Sequence, residues 1–130
     1  MGLGYADITL RNAREPQLRP VVVRALVDSG ATHLCIPERV AAQLALPTLE
    51  QRPVTTADDR TEMRAYVGPI EVMFENRRSF TGAMVLGDEA LLGAIPMEDM
   101  DVLVHPKLQK LVVNPEHPNF PHALAKGLRT

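Results

Sequence analysis

Apolar positions recur along this chain in short runs, most of them broken by turn residues within about ten positions. Tyr5 to Leu10 sets Ala6, Ile8 and Leu10 against Asp7 and Thr9, a period of two that predicts a strand. Arg11 to Pro20 carries Asn12, Pro16 and Pro20 and reads as a surface connection. Val21 to Val27 is apolar and β-branched and predicts a buried strand, broken by a turn over Asp28 to Thr32. Pro37 suits a first helical turn, so a helix is expected from Pro37 to Leu46, with Val40 and Leu44 on one face and Pro47 ending it. Gln51 to Ala57 and Thr61 to Val67 predict a hairpin around Asp58-Asp59-Arg60. Pro69 to Glu75 alternates again. Asn76-Arg77-Arg78 reads as a solvated turn, and Ser79 to Leu86 returns as a strand. Gly87-Asp88-Glu89 turns the chain, and the apolar Ala90-Leu91-Leu92 ends at Gly93. One or two helical turns are expected over Pro96 to Met100, with Glu98 and Asp99 at the helix start. Asp101 to His105 and Gln109 to Val113 predict a last hairpin around Pro106-Lys107. Pro115, Pro118 and Pro121 then punctuate a tail that closes in a short frayed helix, His122 to Leu128.

Many short strands with regular turns and two short helices predict an all-β domain, a closed barrel or sandwich rather than βαβ units. The expected division is a domain over 1–113 and a Pro-rich tail over 114–130. A weak internal echo runs through it. An apolar strand twice ends at a small-residue turn and leads to a proline-opened helix: Leu26-Val27-Asp28-Ser29-Gly30 towards Pro37, and Leu91-Leu92-Gly93 towards Pro96.

Composition sharpens this outline. At 130 residues, one domain is expected. The chain is 45% hydrophobic but has no Trp, 3 Phe and 2 Tyr, so its core has to be aliphatic. A net charge of -2 lacks the basic face that a nucleic-acid partner requires. A single cysteine, Cys35, excludes an internal disulfide and fits a reducing compartment. With no secretory signal pattern and no apolar run of membrane-spanning length, a cytoplasmic protein with no membrane partner is expected. Cys35 lies between Leu34 and Ile36 and reads as a buried structural thiol. His117 and His122 read as surface residues of the tail, without the further ligands a metal site needs.

The chemistry concentrates at Asp28. A carboxylate at the end of a buried apolar strand is costly unless paired or hydrogen-bonded. Asp-Ser-Gly is also ordinary turn chemistry, so a structural turn is the competing reading.

Asp28-Ser29-Gly30-Ala31 resembles the Asp-Thr/Ser-Gly-Ala/Ser signature of aspartic proteases. The chain length and the single signature resemble the retropepsin-like (retroviral-type) branch. Further features match in order: a strand before the Asp, a hairpin at about Arg52 to Tyr66 in the place of the family's flap, a second hairpin at about Pro69 to Leu86, and Leu91-Leu92-Gly93 in the place of its second apolar-apolar-Gly turn. The resemblance spans Tyr5 to Val113 and extends to small bacterial and cyanobacterial members of the group.

The resemblance implies a closed acid-protease barrel with one lobe per chain. It also implies an aspartic endopeptidase that needs no metal or organic cofactor. With one Asp per chain, it implies a homodimer in which two copies of Asp28 share a proton and a water and act on an extended peptide or protein substrate. On that basis Ser29, Gly30 and Ala31 support the active loop. Ala57, Asp58, Asp59 and Arg60 form the tip of a lid over the substrate. The alternative carried by the same barrel is a non-catalytic dimerisation or peptide-binding module. Two departures stand out: Thr32 and Ala94 occupy positions where viral relatives carry an acid and an arginine that pair. The flap tip also lacks the usual glycines.

Overall fold

The first strand that the alternation predicts runs from Gly4 to Asn12 (β1) and pairs antiparallel with Val21–Val27 (β2). The structure is a computed structural model and describes residues 4–123. Seven further strands follow in chain order: Leu34–Ile36 (β3), Thr48–Thr55 (β4), Thr61–Phe74 (β5), Arg77–Val85 (β6), Ala90–Leu92 (β7), Val102–Val104 (β8) and Leu111–Val113 (β9). Two short helices, Glu38–Gln43 (α1) and Ala94–Met100 (α2), interrupt them. Neither is long and apolar enough to cross a membrane.

Six strands close on themselves in the order β1-β2-β7-β3-β6-β5, and β5 returns to β1 through Asn12↔Ile70 to Thr9↔Met73. This is the expected closed barrel, which leaves no open edge among these strands. The strand β4 hangs outside the ring, paired with the first half of β5 alone, so the β4–β5 hairpin projects as an arm. The core inside the ring is aliphatic, built on Ile8, Leu10, Ala25, Val27, Leu34, Ile36, Ile70, Val72 and Leu92, with Met97 and Met100 from α2.

Several elements differ from the expectation. The two strands expected on either side of Gly68-Pro69 are one strand, β5, whose register against β6 shifts between Val67 and Ile70. β3 was not legible, because three residues carry no period. It is defined by its neighbours, β6 on one side and β7 on the other. Pro37 caps α1 instead of entering it, and the helix ends at Gln43, before the turn at Ala45 (φ 51). The second helix starts directly after Gly93, which places Glu98 and Asp99 in its last turns, not at its start.

Arg77 is not a solvated turn residue. It opens β6 opposite Phe74, is 2% exposed, and its guanidinium donates to the carbonyl of His117. The chain turns instead at Glu75-Asn76, where Glu75 takes the left-handed conformation (φ 51).

The same contact shows how the tail is held. Asp101, itself left-handed (φ 55), ends α2 and points its carboxylate at three donors. Asn114 Nδ2 donates at 3.0 Å, the His122 N–H at 2.9 Å, and His117 Nδ1 lies at 2.7 Å. The rings of His117 and His122 stack with centroids 4.4 Å apart, and Asn76 Nδ2 donates to the Pro118 carbonyl at 3.0 Å. His117 is therefore a strap residue, not a free surface histidine. Residues 122 and 123 carry no helix, and the rest of the helix expected over His122 to Leu128 lies outside the described residues.

These donors, the Asn114 amide first, hold the Asp101 carboxyl at about 2, below its ordinary 3.8. A depressed carboxylate stabilises the strap above the ordinary value, and that contribution is lost as pH falls towards the folded one. Acidification from about pH 4 to about pH 2 is expected to release residues 114–122, seen as lower amide protection factors there, each rate compared with that of the unstructured chain at the same pH. The Asp101→Asn variant should show fast exchange in the tail already at neutral pH. A tail equally protected in both proteins at every pH would refute the strap.

Candidate active site

Asp28 lies where β2 leaves the ring. Its N–H still donates to the Leu92 carbonyl at 3.0 Å, so the ladder between β2 and β7 continues through it. The alternation then puts Asp28 on the face of Leu26, opposite the core residues Ala25 and Val27. The residue is half-buried in the single chain, less enclosed than an acid inside a buried strand. The Gly30 N–H donates to Asp28 Oδ1 at 2.9 Å, and the Ala31 N–H donates to the Asp28 carbonyl at 3.1 Å. The turn thus points one backbone donor at the carboxylate and closes on itself with another.

A second layer fixes the turn from below. The Ala94 N–H donates to the Ala31 carbonyl at 2.8 Å, and the Ile95 N–H donates to the Thr32 carbonyl at 2.9 Å. The first turn of α2 leaves its N–H groups without helical partners, and the Asp28 loop takes two of them. The approach is close enough to require glycine. A Cβ on Gly93 would lie 2.4 Å from the His33 carbonyl oxygen and 2.9 Å from that of Ala31. The two segments of the internal echo are therefore neighbours, with Leu26 beside Leu91 and Val27 beside Leu92. Thr32 and Ala94, the paired departures, both lie at this junction, Thr32 bonded through its carbonyl to Ile95 and Ala94 through its N–H to Ala31.

The non-core face beside Asp28 is a continuous row. Register sets Leu26 beside Leu91, Leu91 beside Cys35, Cys35 beside Met84, and Met84 beside Tyr66. Directly paired residues share a face, so these side chains form one apolar floor across β2, β7, β3, β6 and β5. Cys35 belongs to this floor and is half-buried, not a core thiol, and burial pushes its pKa up. At the far end the Tyr66 ring lies over Gly82, where a Cβ would come within 2.2 Å of it. His33 meets that ring edge-on at 5.9 Å, and the Arg52 guanidinium covers it at 3.7 Å. Burial, and then the charge of Arg52, lower the His33 pKa.

The site residues expected from the sequence fall into two groups. Asp28, Ser29, Gly30 and Ala31 gather with Leu91, Leu92 and Gly93 at one junction. Ser29 is exposed and opens onto a groove of about 390 Å³ with Ala94, Met97, Val102, Leu103 and Val104. Ala57, Asp58, Asp59 and Arg60 sit at the exposed tip of the β4–β5 arm. There Thr56 donates to Asp58 and the Thr56 N–H to the Arg60 carbonyl at 2.8 Å, while Asp59 supplies the left-handed position (φ 65) that glycine often fills. Met84, Tyr66, His33 and Arg52 went unread as a group. The signal available for them was the every-second-residue set left over once the core face is assigned.

Residues 17–95 match the family model described as "gag-polyprotein putative aspartyl protease", a span that runs from before β2 through Gly93. The chain belongs to that aspartyl protease family. No curated protein matches it. Among solved structures, the retroviral protease-like domain of Ddi1 from Leishmania major is similar over 98% of this chain and 99% of its own, at 17% identity and a TM-score of 0.58. That likeness supports a retropepsin-like fold for this aspartyl protease relative. Simian foamy virus (mac) protease is 16% identical over 72% of this chain and 91% of its own, with a TM-score of 0.48. A retropepsin-like aspartic protease from Rickettsia conorii is 18% identical over 70% and 77%, with a TM-score of 0.39.

Because backbone atoms of the Asp28 loop occupy the space above Gly93, Gly93→Ala is expected to destabilise the fold by about 2–3 kcal/mol, as overpacked sites do. Ala94→Gly, which adds no bulk, should cost about 1 kcal/mol or less. Urea unfolding checks both, and equal midpoints for Gly93→Ala and the parent would refute the close approach.

Proposed function

We propose that this chain is an aspartic endopeptidase that works as a homodimer, each subunit giving one Asp28. The observation that carries the reading is the setting of Asp28: one carboxylate per chain, held by the Gly30 N–H and facing an apolar floor, in an aspartyl protease family member. One carboxylate cannot serve as acid and base at once. Two of them across a two-fold axis share a single proton, because two like charges at close range resist full ionisation. The ionised Asp28 takes a proton from a water as its oxygen bonds to the peptide carbonyl carbon. The protonated Asp28 of the second copy gives its proton to the carbonyl oxygen. Collapse of that diol breaks the C–N bond, and a proton passes to the leaving nitrogen.

Each neighbour then has a part. Ser29, beside the acid and exposed, braces the two loops across the axis. The β4–β5 arm closes over an extended peptide, whose backbone pairs with strand edges. The part-exposed floor residues Leu26, Leu91 and Cys35 receive apolar side chains near the cleaved bond. The groove from Ser29 to Val104 receives the second copy, in place of an ion pair between positions 32 and 94.

A second reading has one observation in its favour. The arm's tip has no glycine and is stitched by Thr56 to Asp58 and Arg60, which suits a peptide-binding module with a stiff lid.

Asp28→Asn separates the two. On the enzyme reading it lowers peptide hydrolysis by about 10³-fold or more, since positioned acid–base groups contribute on that order, and leaves the dimer intact by analytical ultracentrifugation. The parent's rate should be highest on the acid side, where the pair holds one proton, and pepstatin-type inhibitors should block it. Hydrolysis that survives Asp28→Asn would end the reading.

A further inference from the structure

The floor beside Asp28 does not end as it begins. Near the acid it is Leu26, Leu91, Cys35 and Met84; at its far end it becomes Tyr66, covered by Arg52 and flanked by His33. Arg52 also stands directly opposite Arg64 in the β4–β5 arm. Like charges placed opposite one another cost stability, so this pairing needs a compensating anion. Each arginine has a partial one from its own strand: Glu50 at 3.2 Å from Arg52 Nη2, and Glu62 beside Arg64. The Glu50–Arg52 pair is solvent-accessible, where ion pairs contribute little and exchange readily. Glu50 engages Nη2 alone, and a guanidinium has five donors. Arg52 rests on a ring that Gly82 and His33 hold in place.

We propose that this end of the floor is a specificity site for an acidic side chain of the substrate, with Arg52 as the residue that selects it. The inference rests on the proposed endopeptidase reading and adds the substrate's chemistry. Three strand spacings separate Leu91 from Tyr66, roughly 14 Å, and an extended peptide covers that in about four residues. The favoured substrate therefore has apolar side chains at the cleaved bond and a Glu or Asp about four residues away. In a symmetric dimer the same end occurs on both sides of the cut.

The test uses peptides with apolar residues flanking the cleaved bond and Glu, Gln or Lys three, four or five residues from it. For the parent protein, kcat/KM should fall in the order Glu, Gln, Lys at one of these positions, with Glu over Lys by about tenfold, as expected for one charge-assisted hydrogen bond. Arg52→Glu should reverse the order, and Arg52→Gln should flatten it. Glu50→Gln, which removes the competing carboxylate, should widen it. Equal rates for the three peptides, or a preference that Arg52→Glu leaves unchanged, would overturn the proposal while leaving the endopeptidase intact. Binding of the same peptides to the Asp28→Asn protein gives the second readout, by fluorescence anisotropy. Tighter binding of the Glu peptide without any hydrolysis by the parent would uphold the acidic site and remove the enzyme. No binding of any peptide would overturn the acidic site.

Discussion

The structure depends on one close approach. Gly93 lies so near the carbonyls of Ala31 and His33 that no side chain fits between them. That proximity allows the first N–H groups of α2 to bond the loop that carries Asp28. Two orphan donors of a helix end and two carbonyls of an irregular loop satisfy each other, which buried polar backbone requires. The loop needs no regular structure of its own, because it is held on one side by β7 and on the other by α2. Thr32 and Ala94 lie at the same contact, and only their main-chain atoms bond there. The brace between these two segments is made by the main chain and does not depend on either side chain.

The barrel gives each of its strands two faces with different duties. The inner face, with Ala25, Val27, Leu34, Ile36 and Leu92, is aliphatic and fills the ring. The opposite face carries an apolar row as well, Leu26, Leu91, Cys35 and Met84, of which only Met84 is fully buried. A sheet that is apolar on both faces either meets another layer or forms a binding surface. Here the β4–β5 arm stands beside that face, and its Arg52 covers the Tyr66 end of the row. The arm joins the ring through β5 alone.

Strand periodicity made most of the barrel legible. Positions Ala6 to Leu10, Val21 to Val27 and Pro69 to Glu75 alternate or cluster as strands do, and the turn residues between them mark the breaks. Short elements were not legible. β3 has three residues and owes its place to the strands on either side of it. The burial of Arg77 was hidden as well, because two adjacent arginines look solvated until the tail folds across the first of them. Asp101 and His117 lie far apart in sequence, and their contact needs the whole turn of the chain between α2 and the tail.

The chain by itself determined that an acid stands at the end of an apolar strand, that glycine follows a second apolar strand, and that the core is aliphatic. Those are local facts of residue type and spacing, and local propensity carries them. Only the tertiary structure decided that the two strands lie side by side, that Gly93 sits beneath the Asp28 loop, and that Leu91, Cys35, Met84 and Tyr66 form one row ending at Arg52. The physical reason is register. Which residues share a face across a sheet is set by strand pairing between distant segments, and no window along the sequence contains it.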